Sequence, residues 1–209
     1  MSRQRIALLL YPGCIFFEVA AALELLAPAC TIVCLTPDGT EHAASNGLRI
    51  AADASFDGAT DRAWSCVLVP GGDPDAIFEA GRADACLIAA HRHGALLAGI
   101  CAGSLVLART GLLRGRRVTH NYTAEYAEPE RVACTAPYWN GSIHEPADVV
   151  VDLPFITAQH WAHEAFAAAV AQALGVLTAS EAAAWLARRR AQAGTLGSPA
   201  SAIASSDSS

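Results

Sequence analysis

The sequence predicts an α/β domain in which helices cover both faces of a mostly parallel sheet. Two observations lead to this prediction. Short, continuous apolar runs suit strands that are buried on both faces, and segments of strong helix formers without internal breakers lie between them. Strand and helix alternate along the chain, so right-handed crossovers place helices on both faces of the sheet. Ligands of such sheets bind at the carboxyl ends of the strands.

The first part of the chain begins with strand, helix and strand. Residues 5–11 form an apolar run that stops at a Pro-Gly pair, which is typical of a buried strand. Residues 17–27 form a helix that ends before a proline, and residues 31–36 form the second strand. Residues 48–52 indicate a short antiparallel excursion.

The middle of the chain repeats the alternation. Residues 66–70 are a buried strand closed by two glycines, and residues 82–93 are a helix that runs into another glycine. Residues 96–100 are a further apolar strand, and residues 103–110 the helix after it. Two neighbouring strand ends in this part of the chain therefore carry glycine-rich turns.

The C-terminal part adds two short strands, residues 149–152 and 155–158, and two helices, residues 161–174 and 180–192. We expect three units: an α/β domain, a helical extension and a disordered tail rich in Ser and Ala. Their predicted ranges are 1–178, 179–193 and 194–209.

Composition excludes several classes of function. The 209 residues are 53% hydrophobic and 16% charged, with a net charge of −6, and every basic residue is arginine. Apart from residues 188–190 there is no dense basic block, so no nucleic-acid partner is expected. The apolar run near the N-terminus is too short for a signal peptide or a membrane span. We expect a cytoplasmic protein without a membrane partner.

Seven cysteines lie along the chain, an odd number without a Cys-x-x-Cys pair. In a reducing compartment six of them are expected to be small buried hydrophobic residues. No Cys/His spacing matches a zinc site, so no metal is predicted.

Cys101 lies where a predicted strand passes directly into a helix, with Gly99 and Gly103 on either side. Small flanking residues tolerate the sharp turn of a nucleophile elbow, which pushes one side chain outward. A thiol at a helix N-terminus faces free N–H groups and the helix dipole, which favour the thiolate and lower its pKa. We expect a reactive thiol, the alternative being a buried structural cysteine.

Two further features lie at neighbouring strand ends. Gly71 and Gly72 let the backbone approach a ligand, and the N–H groups of Gly72 and Ala102 could form an oxyanion hole, unless the glycines only make a tight turn. Glu18 begins the first helix in an apolar context. It is either a solvated residue that favours the helix dipole or a partly buried acid with a raised pKa.

Four segments within residues 5–175 resemble the DJ-1/PfpI (ThiJ/PfpI) superfamily, whose fold is like that of class I glutamine amidotransferases. They are YPGCIFFEVAAALELL, VLVPGGDPDAI, LLAGICAGSLVLARTGLLRGRRVTH and VVVDLPFITAQ. The cysteine elbow and its spacing from the PGG turn carry the resemblance. It implies a flavodoxin-like three-layer sandwich without a cofactor. Members of the family include glyoxalases, isocyanide hydratases, peptidases and proteins described as chaperones or oxidative-stress sensors.

Taken position by position, the resemblance makes Cys101 the nucleophile and Glu18 the acid that hydrogen-bonds it, with Gly72 and Ala102 as oxyanion donors. Isocyanide hydratases resemble the chain in the spacing of the first helix and in the GLLRG run, but they have Asp where Glu18 stands. This difference favours a glyoxalase-like activity over a hydratase.

Two departures from the family pattern concern the surroundings of Cys101. Many members have a histidine at the position of Asn121, whereas here His120 precedes it. One residue in a strand reverses the side of the side chain, so either His120 is re-aimed and meets Cys101 or Asn121 replaces it. His160 and Trp161 take the place of a Gly-Pro pair that approaches the site across a dimer. Trp161 then either narrows the substrate pocket, with the His160 imidazole near it, or packs on the following helix.

The leading functional hypothesis is a cofactor-independent enzyme that acts on a small electrophilic substrate. The Cys101 thiolate would attack a 2-oxoaldehyde, which becomes a 2-hydroxy acid, while Glu18 shuttles protons. The alternatives are an isocyanide hydratase and a non-catalytic thiol redox sensor. The pair Phe16-Phe17 and the apolar helix 166–174 offer more hydrophobic surface than one sheet covers, which predicts a homodimer.

Overall fold

The computed structural model describes residues 3–196. Within this range the strands are β1 Gln4–Leu9, β2 Cys30–Thr36, β3 His42–Ala43, β4 Arg49–Ile50, β5 Ala54–Ser55, β6 Cys66–Val69, β7 Leu96–Ile100, β8 Arg117–Val118, β9 Ile143–His144, β10 Val149–Asp152 and β11 Phe155–Ala158. The helices are α1 Phe17–Leu26, α2 Asp75–Phe78, α3 Asp84–Arg92, α4 Ala102–Arg109, α5 Pro129–Thr135, α6 His163–Ala173 and α7 Ala179–Leu196. Short 3-10 turns lie at Asp57–Ala59, Ala136–Trp139 and His160–Ala162.

Seven strands form the main sheet, in the order β10-β11-β7-β6-β1-β2-β5. All neighbours pair in parallel except β10, which runs antiparallel to β11. The strands β2, β1, β6, β7 and β11 give the 2-1-3-4-5 order of flavodoxin-like folds. The register places Val67 between Ala7 and Leu97. The predicted fold class is confirmed.

Helices form a layer on each face of this sheet. The helices α3 and α4 contact β6 and β7 on one face, and α6 contacts β7, β10 and β11. The helices α1 and α7 both pack against α6. Every residue of β6 and β7 is buried, which explains why these strands are continuous apolar runs rather than alternating ones.

The strands and helices predicted from apolar runs are present, with ends that differ by at most a few residues, and β3 and β4 form the antiparallel excursion. The elements α2, α5, β5, β8 and β9 were not predicted. Most residues of α5 are exposed, so its sequence carries no amphipathic period. Strands of two residues are too short to show any period.

The apolar helix α6 does not leave the surface that the dimer prediction assumed. Phe166 is fully buried, and α1 and α7 cover this helix within one chain. Phe17, by contrast, is 61% exposed. Of the two features behind the dimer prediction, the Phe16-Phe17 pair rather than the helix keeps a large apolar side chain available for a partner.

The C-terminal helix α7, Ala179–Leu196, covers the whole predicted extension, 179–193, and continues past its end. The division into a domain and an extension stays a prediction, and the predicted tail, 194–209, lies largely outside the described residues. Among residues 3–196, no helix has both the length and the apolar character needed to cross a membrane.

Candidate active site

Three neighbouring parallel strands, β1, β6 and β7, end at the same edge of the sheet. Glu18 lies in α1 after the first of them, Gly71 and Gly72 follow the second, and Cys101 comes directly after the third. The order of the strands thus brings together three segments that are far apart in the sequence. This is the edge at which open α/β sheets bind ligands.

Cys101 has φ 57° and ψ −128°, and it is the one non-glycine residue with a positive φ in the described chain. Such a backbone is costly for a residue with a side chain, and it is typical of a functional elbow. The flanking glycines allow it because the backbone packs closely here. A Cβ at Gly103 would collide with the carbonyl oxygen of Val69, and a Cβ at Gly99 would lie 2.8 Å from the Gly103 carbonyl.

Glu18 is buried, with 1% of its surface exposed, so the solvated alternative is wrong. Its Oε2 accepts a hydrogen bond of 2.7 Å from the N–H of Gly71, and its carboxyl group is hydrogen-bonded to the Cys101 thiol. A Cβ at Gly71 would lie 2.6 Å from Oε2 and 2.7 Å from Sγ of Cys101. Only glycine at this position leaves room for the acid and the thiol to meet.

Burial governs the ionisation of this pair. It raises the pKa of Glu18 to about 7, against the hydrogen bonds from Gly71 and Cys101, which lower it. Burial, followed by the negative charge of Glu18, raises the pKa of Cys101 to about 12. The pair therefore holds a single proton over a wide range above neutral pH. The sequence-based expectation of a lowered thiol pKa was wrong, because it considered the helix N-terminus and not desolvation.

Two backbone N–H groups do favour the thiolate. The N–H groups of Ala102 and Gly72 both donate hydrogen bonds to the sulfur of Cys101, and both lower its pKa. Gly72 has φ 117°, and a Cβ there would lie 2.9 Å from Cα of Cys14. The two predicted oxyanion donors thus meet at the predicted nucleophile.

A cavity of about 540 Å³ opens beside the sulfur. Its lining residues come from five segments of the chain: Gly13, Ile15, Ser45, Gly72, Asp73, Asp75, Cys101 and Arg131. Arg131 lies on α5 and is the one basic residue among them. It hydrogen-bonds the Tyr122 hydroxyl, its guanidinium carbon lies 5.8 Å from the centre of that ring, and it forms no ion pair with a carboxylate of the described chain.

His120 does not act as a partner of Cys101 in this structure. Its ring stacks on Trp139 with a centroid separation of 3.9 Å, and its Nδ1 accepts a hydrogen bond from the N–H of Tyr122. Burial, followed by His144, lowers its pKa to about 3, so the ring is neutral. Among residues 3–196, neither His120 nor Asn121 hydrogen-bonds Cys101.

His160 and Trp161 lie apart from the cavity that contains Cys101. Trp161 is 42% exposed, its Nε1 donates to Oδ1 of Asp148, and its ring packs against those of Tyr126 and His160. Within one chain these residues neither narrow the pocket nor bring an imidazole to the thiol. A contribution across a dimer stays a prediction.

The sequence analysis missed Tyr11, Tyr122 and Arg131. Tyr11 lies just beyond the end of β1 and is 1% exposed, and its position near a strand end and next to a Pro-Gly turn was a usable signal. Arg131 and Tyr122 lie in a segment without apolar periodicity, which left no local signal for their role.

Comparison with known proteins agrees with the fold. A sequence model of the DJ-1/PfpI family matches residues 4–173. No curated protein matches the chain.

Solved structures share the fold at low sequence identity. A DJ-1 superfamily protein from Agrobacterium tumefaciens is 24% identical over 90% of this chain and 99% of its own, with a TM-score of 0.72. A ThiJ/PfpI family protein from Bacillus anthracis is 22% identical over 88% and 90%, with a TM-score of 0.73. Oxidized DJ-1 from Toxoplasma gondii is 19% identical over 90% and 98%, with a TM-score of 0.71. The chain belongs to the DJ-1/PfpI family.

Proposed function

We propose that the chain is a cofactor-independent enzyme that uses Cys101 to convert a 2-oxoaldehyde into a 2-hydroxy acid. One observation carries the proposal. A buried acid, Glu18, shares a proton with the thiol, and two N–H groups converge on the same sulfur. A nucleophile, a proton acceptor and an oxyanion hole are the parts that carbonyl addition needs.

In the first step the sulfur adds to the aldehyde carbon. Ionised Glu18 accepts the thiol proton as the C–S bond forms, and its pKa of about 7 suits proton transfer at neutral pH. The carbonyl oxygen becomes negative and is stabilised by the N–H groups of Gly72 and Ala102. Return of the proton to this oxygen gives a hemithioacetal and regenerates the carboxylate.

In the second step a proton moves from the aldehyde carbon to the neighbouring carbon. Glu18 is the acid-base group next to the sulfur, so it removes the C–H proton and returns it to the adjacent carbon. The hydroxyl proton of the hemithioacetal passes through the enediol to the neighbouring oxygen. The product of this transfer is a thioester of Cys101. Water then cleaves the C–S bond, which gives the 2-hydroxy acid and the free thiol, so the net reaction consumes one water and no oxidant.

The test is turnover of methylglyoxal and phenylglyoxal by wild type, Cys101→Ser and Glu18→Gln. Both variants should lose at least about 100-fold in kcat, while Cys134→Ser, which changes an exposed thiol, should keep the wild-type rate. Retained turnover in either site variant contradicts the assignment. Isocyanides, tested in parallel with Glu18→Asp, separate a hydratase from a glyoxalase.

A second candidate function is redox sensing, favoured by the contact between Glu18 and a thiol that is only half-buried. Two successive two-electron oxidations by peroxide would convert this thiol to a sulfinic acid, which a protonated Glu18 could hydrogen-bond. One structural relative, DJ-1 from Toxoplasma gondii, was solved in an oxidized form. Mass spectrometry after mild peroxide treatment should find two added oxygens on Cys101 alone. Scattered oxidation over the seven cysteines contradicts this function.

A further inference from the structure

The peptide between Gly71 and Gly72 is held firmly on its carbonyl side. The carbonyl oxygen of Gly71 accepts a hydrogen bond of 2.9 Å from the Tyr11 hydroxyl and one of 2.8 Å from the N–H of Ile15. The same hydroxyl lies 2.8 Å from the carbonyl oxygen of Pro70, so its single proton is shared between two carbonyls. Tyr11 thereby links the end of β1 to the turn that follows β6.

Planarity of the peptide converts this anchor into a constraint on the site. In a trans peptide the C=O and the N–H point in opposite directions, so fixing the carbonyl of Gly71 fixes the N–H of Gly72. That N–H donates to the sulfur of Cys101. Two adjacent glycines are otherwise the most freely rotating backbone available. The hydrogen bond from the N–H of Gly71 to Glu18 and the isolated bridge between Cys14 and Gly72 also constrain this turn.

The Tyr11 hydroxyl can donate to the Gly71 carbonyl at any pH at which the protein stays folded. The residue is 1% exposed, and burial raises its pKa well above the usual value, so the phenol stays protonated and can only donate to the two carbonyls. Because the ring is enclosed, its hydroxyl is held at one place.

We infer that Tyr11 is a positioning residue, which aims the N–H of Gly72 at the sulfur and at the oxyanion that forms next to it. This inference rests on the proposed function, since Tyr11 acts on the same site through the peptide between Gly71 and Gly72. It also makes a claim about the thiol itself, because loss of the Gly72 hydrogen bond disfavours the thiolate even when no substrate is present.

The experiment compares wild type with Tyr11→Phe, which removes one hydroxyl and keeps the ring. Thr36→Val is the matched control, because Thr36 is also fully buried and its hydroxyl donates to a carbonyl, that of Thr40, in another part of the chain. Two rates are measured: turnover of a 2-oxoaldehyde, and alkylation of Cys101 by iodoacetamide from pH 5 to 9, with mass spectrometry to identify the modified cysteine.

We expect Tyr11→Phe to lower kcat about tenfold, the worth of one well-formed hydrogen bond, with KM within about twofold of wild type. The plateau rate of alkylation should fall by a similar factor, while the inflection near pH 7 that belongs to Glu18 stays in place. A merely structural role would not give this result, because a loosened site exposes Glu18 to water and moves the inflection to lower pH. Thr36→Val should leave both rates unchanged.

The inference is overturned if folded Tyr11→Phe has the wild-type alkylation plateau and kcat. It is also overturned if the variant is less stable and the inflection of its alkylation profile moves to lower pH. Should wild type turn over no 2-oxoaldehyde, the proposed function fails, and the alkylation plateau alone decides the role of Tyr11. If Tyr11→Phe does not fold, amide hydrogen exchange of Gly72 in the wild type replaces it. Slow exchange then supports the anchor, and exchange as fast as that of an exposed loop overturns it.

Discussion

The carboxyl group of Glu18 and the thiol of Cys101 meet across a glycine that has no room for a side chain. Oε2 and Sγ lie 2.6 Å and 2.7 Å from the position that a Cβ of Gly71 would occupy, and the N–H of Gly71 binds the same Oε2. The acid and the nucleophile therefore form one unit with one shared proton. Its chemistry should follow the ionisation of Glu18 rather than that of a free thiol.

The first prediction concerns the pH dependence of Cys101 alkylation. The rate in wild type should rise through about pH 7, where Glu18 ionises and becomes able to accept the thiol proton. In Glu18→Gln this inflection should disappear, and the rate at pH 7.5 should fall at least about tenfold, because burial, the largest cause of the raised thiol pKa, persists without a proton acceptor. Stopped-flow kinetics with iodoacetamide measure both. An unchanged profile in Glu18→Gln means that the two groups are not coupled.

The second prediction is a stability difference that depends on pH. The folded pKa of Glu18 is about 7, above its ordinary value of 4.5, so the folded state binds this proton more tightly than the unfolded state. The resulting stabilisation is complete below pH 4.5 and is lost as pH rises through 7. Relative to Glu18→Gln, the free energy of unfolding of wild type should fall between pH 5 and pH 8, by at most about 3 kcal/mol.

Urea unfolding of both proteins at three pH values gives this difference directly. Other titrating groups are common to the two chains, so they cancel in the comparison. A constant difference from pH 5 to 8 shows that Glu18 has an ordinary pKa, and a wild type that gains stability with pH reverses the sign of the argument.

The sequence predicted most of the sheet because buried parallel strands leave apolar runs that stop at glycine or proline. It also predicted the elbow, since Gly99 and Gly103 flank a cysteine at a strand end. It could not predict the ionisation of Cys101, which depends on how deeply the tertiary fold buries the pair. Nor could it place His120, whose stacking on Trp139 depends on a segment with no periodic pattern.

The third prediction concerns a substitution that pushes Glu18 and Cys101 apart without replacing either residue. Gly71→Ala adds a methyl group in the space between them, so one side chain must move and the shared proton is lost. Turnover should fall about 100-fold or more, and the inflection of alkylation near pH 7 should vanish. Gly58→Ala is the control, because its new Cβ approaches only the Ser55 hydroxyl, at 3.1 Å. Circular dichroism confirms that both variants are folded, and a folded Gly71→Ala with normal turnover would show that the pair is not required.

The fourth prediction concerns association. Phe17, which precedes Glu18 in the sequence, is 61% exposed, and we propose that it packs against a second copy of the chain. Light scattering at micromolar concentration should give a dimer for wild type and a monomer for Phe17→Glu. Leu153→Glu changes a side chain of similar exposure, 60%, in the turn between β10 and β11, and it should stay dimeric. Monomeric wild type contradicts the proposal. Loss of the dimer in Leu153→Glu would show that the interface includes the turn between β10 and β11.

The fifth prediction assigns a charge preference to the cavity. Arg131 is the one basic side chain that lines it, and Tyr122 rather than a carboxylate holds the guanidinium, so its charge is available to a ligand. Iodoacetate and iodoacetamide have nearly the same shape and differ in charge. Arg131→Met should slow alkylation of Cys101 by iodoacetate about fivefold more than alkylation by iodoacetamide, and added salt should reduce the difference. Arg92→Met makes the same change in net charge on the exposed surface of α3 and should leave the ratio of the two rates unchanged. Equal slowing of both reagents in Arg131→Met would contradict the proposed charge preference of the cavity.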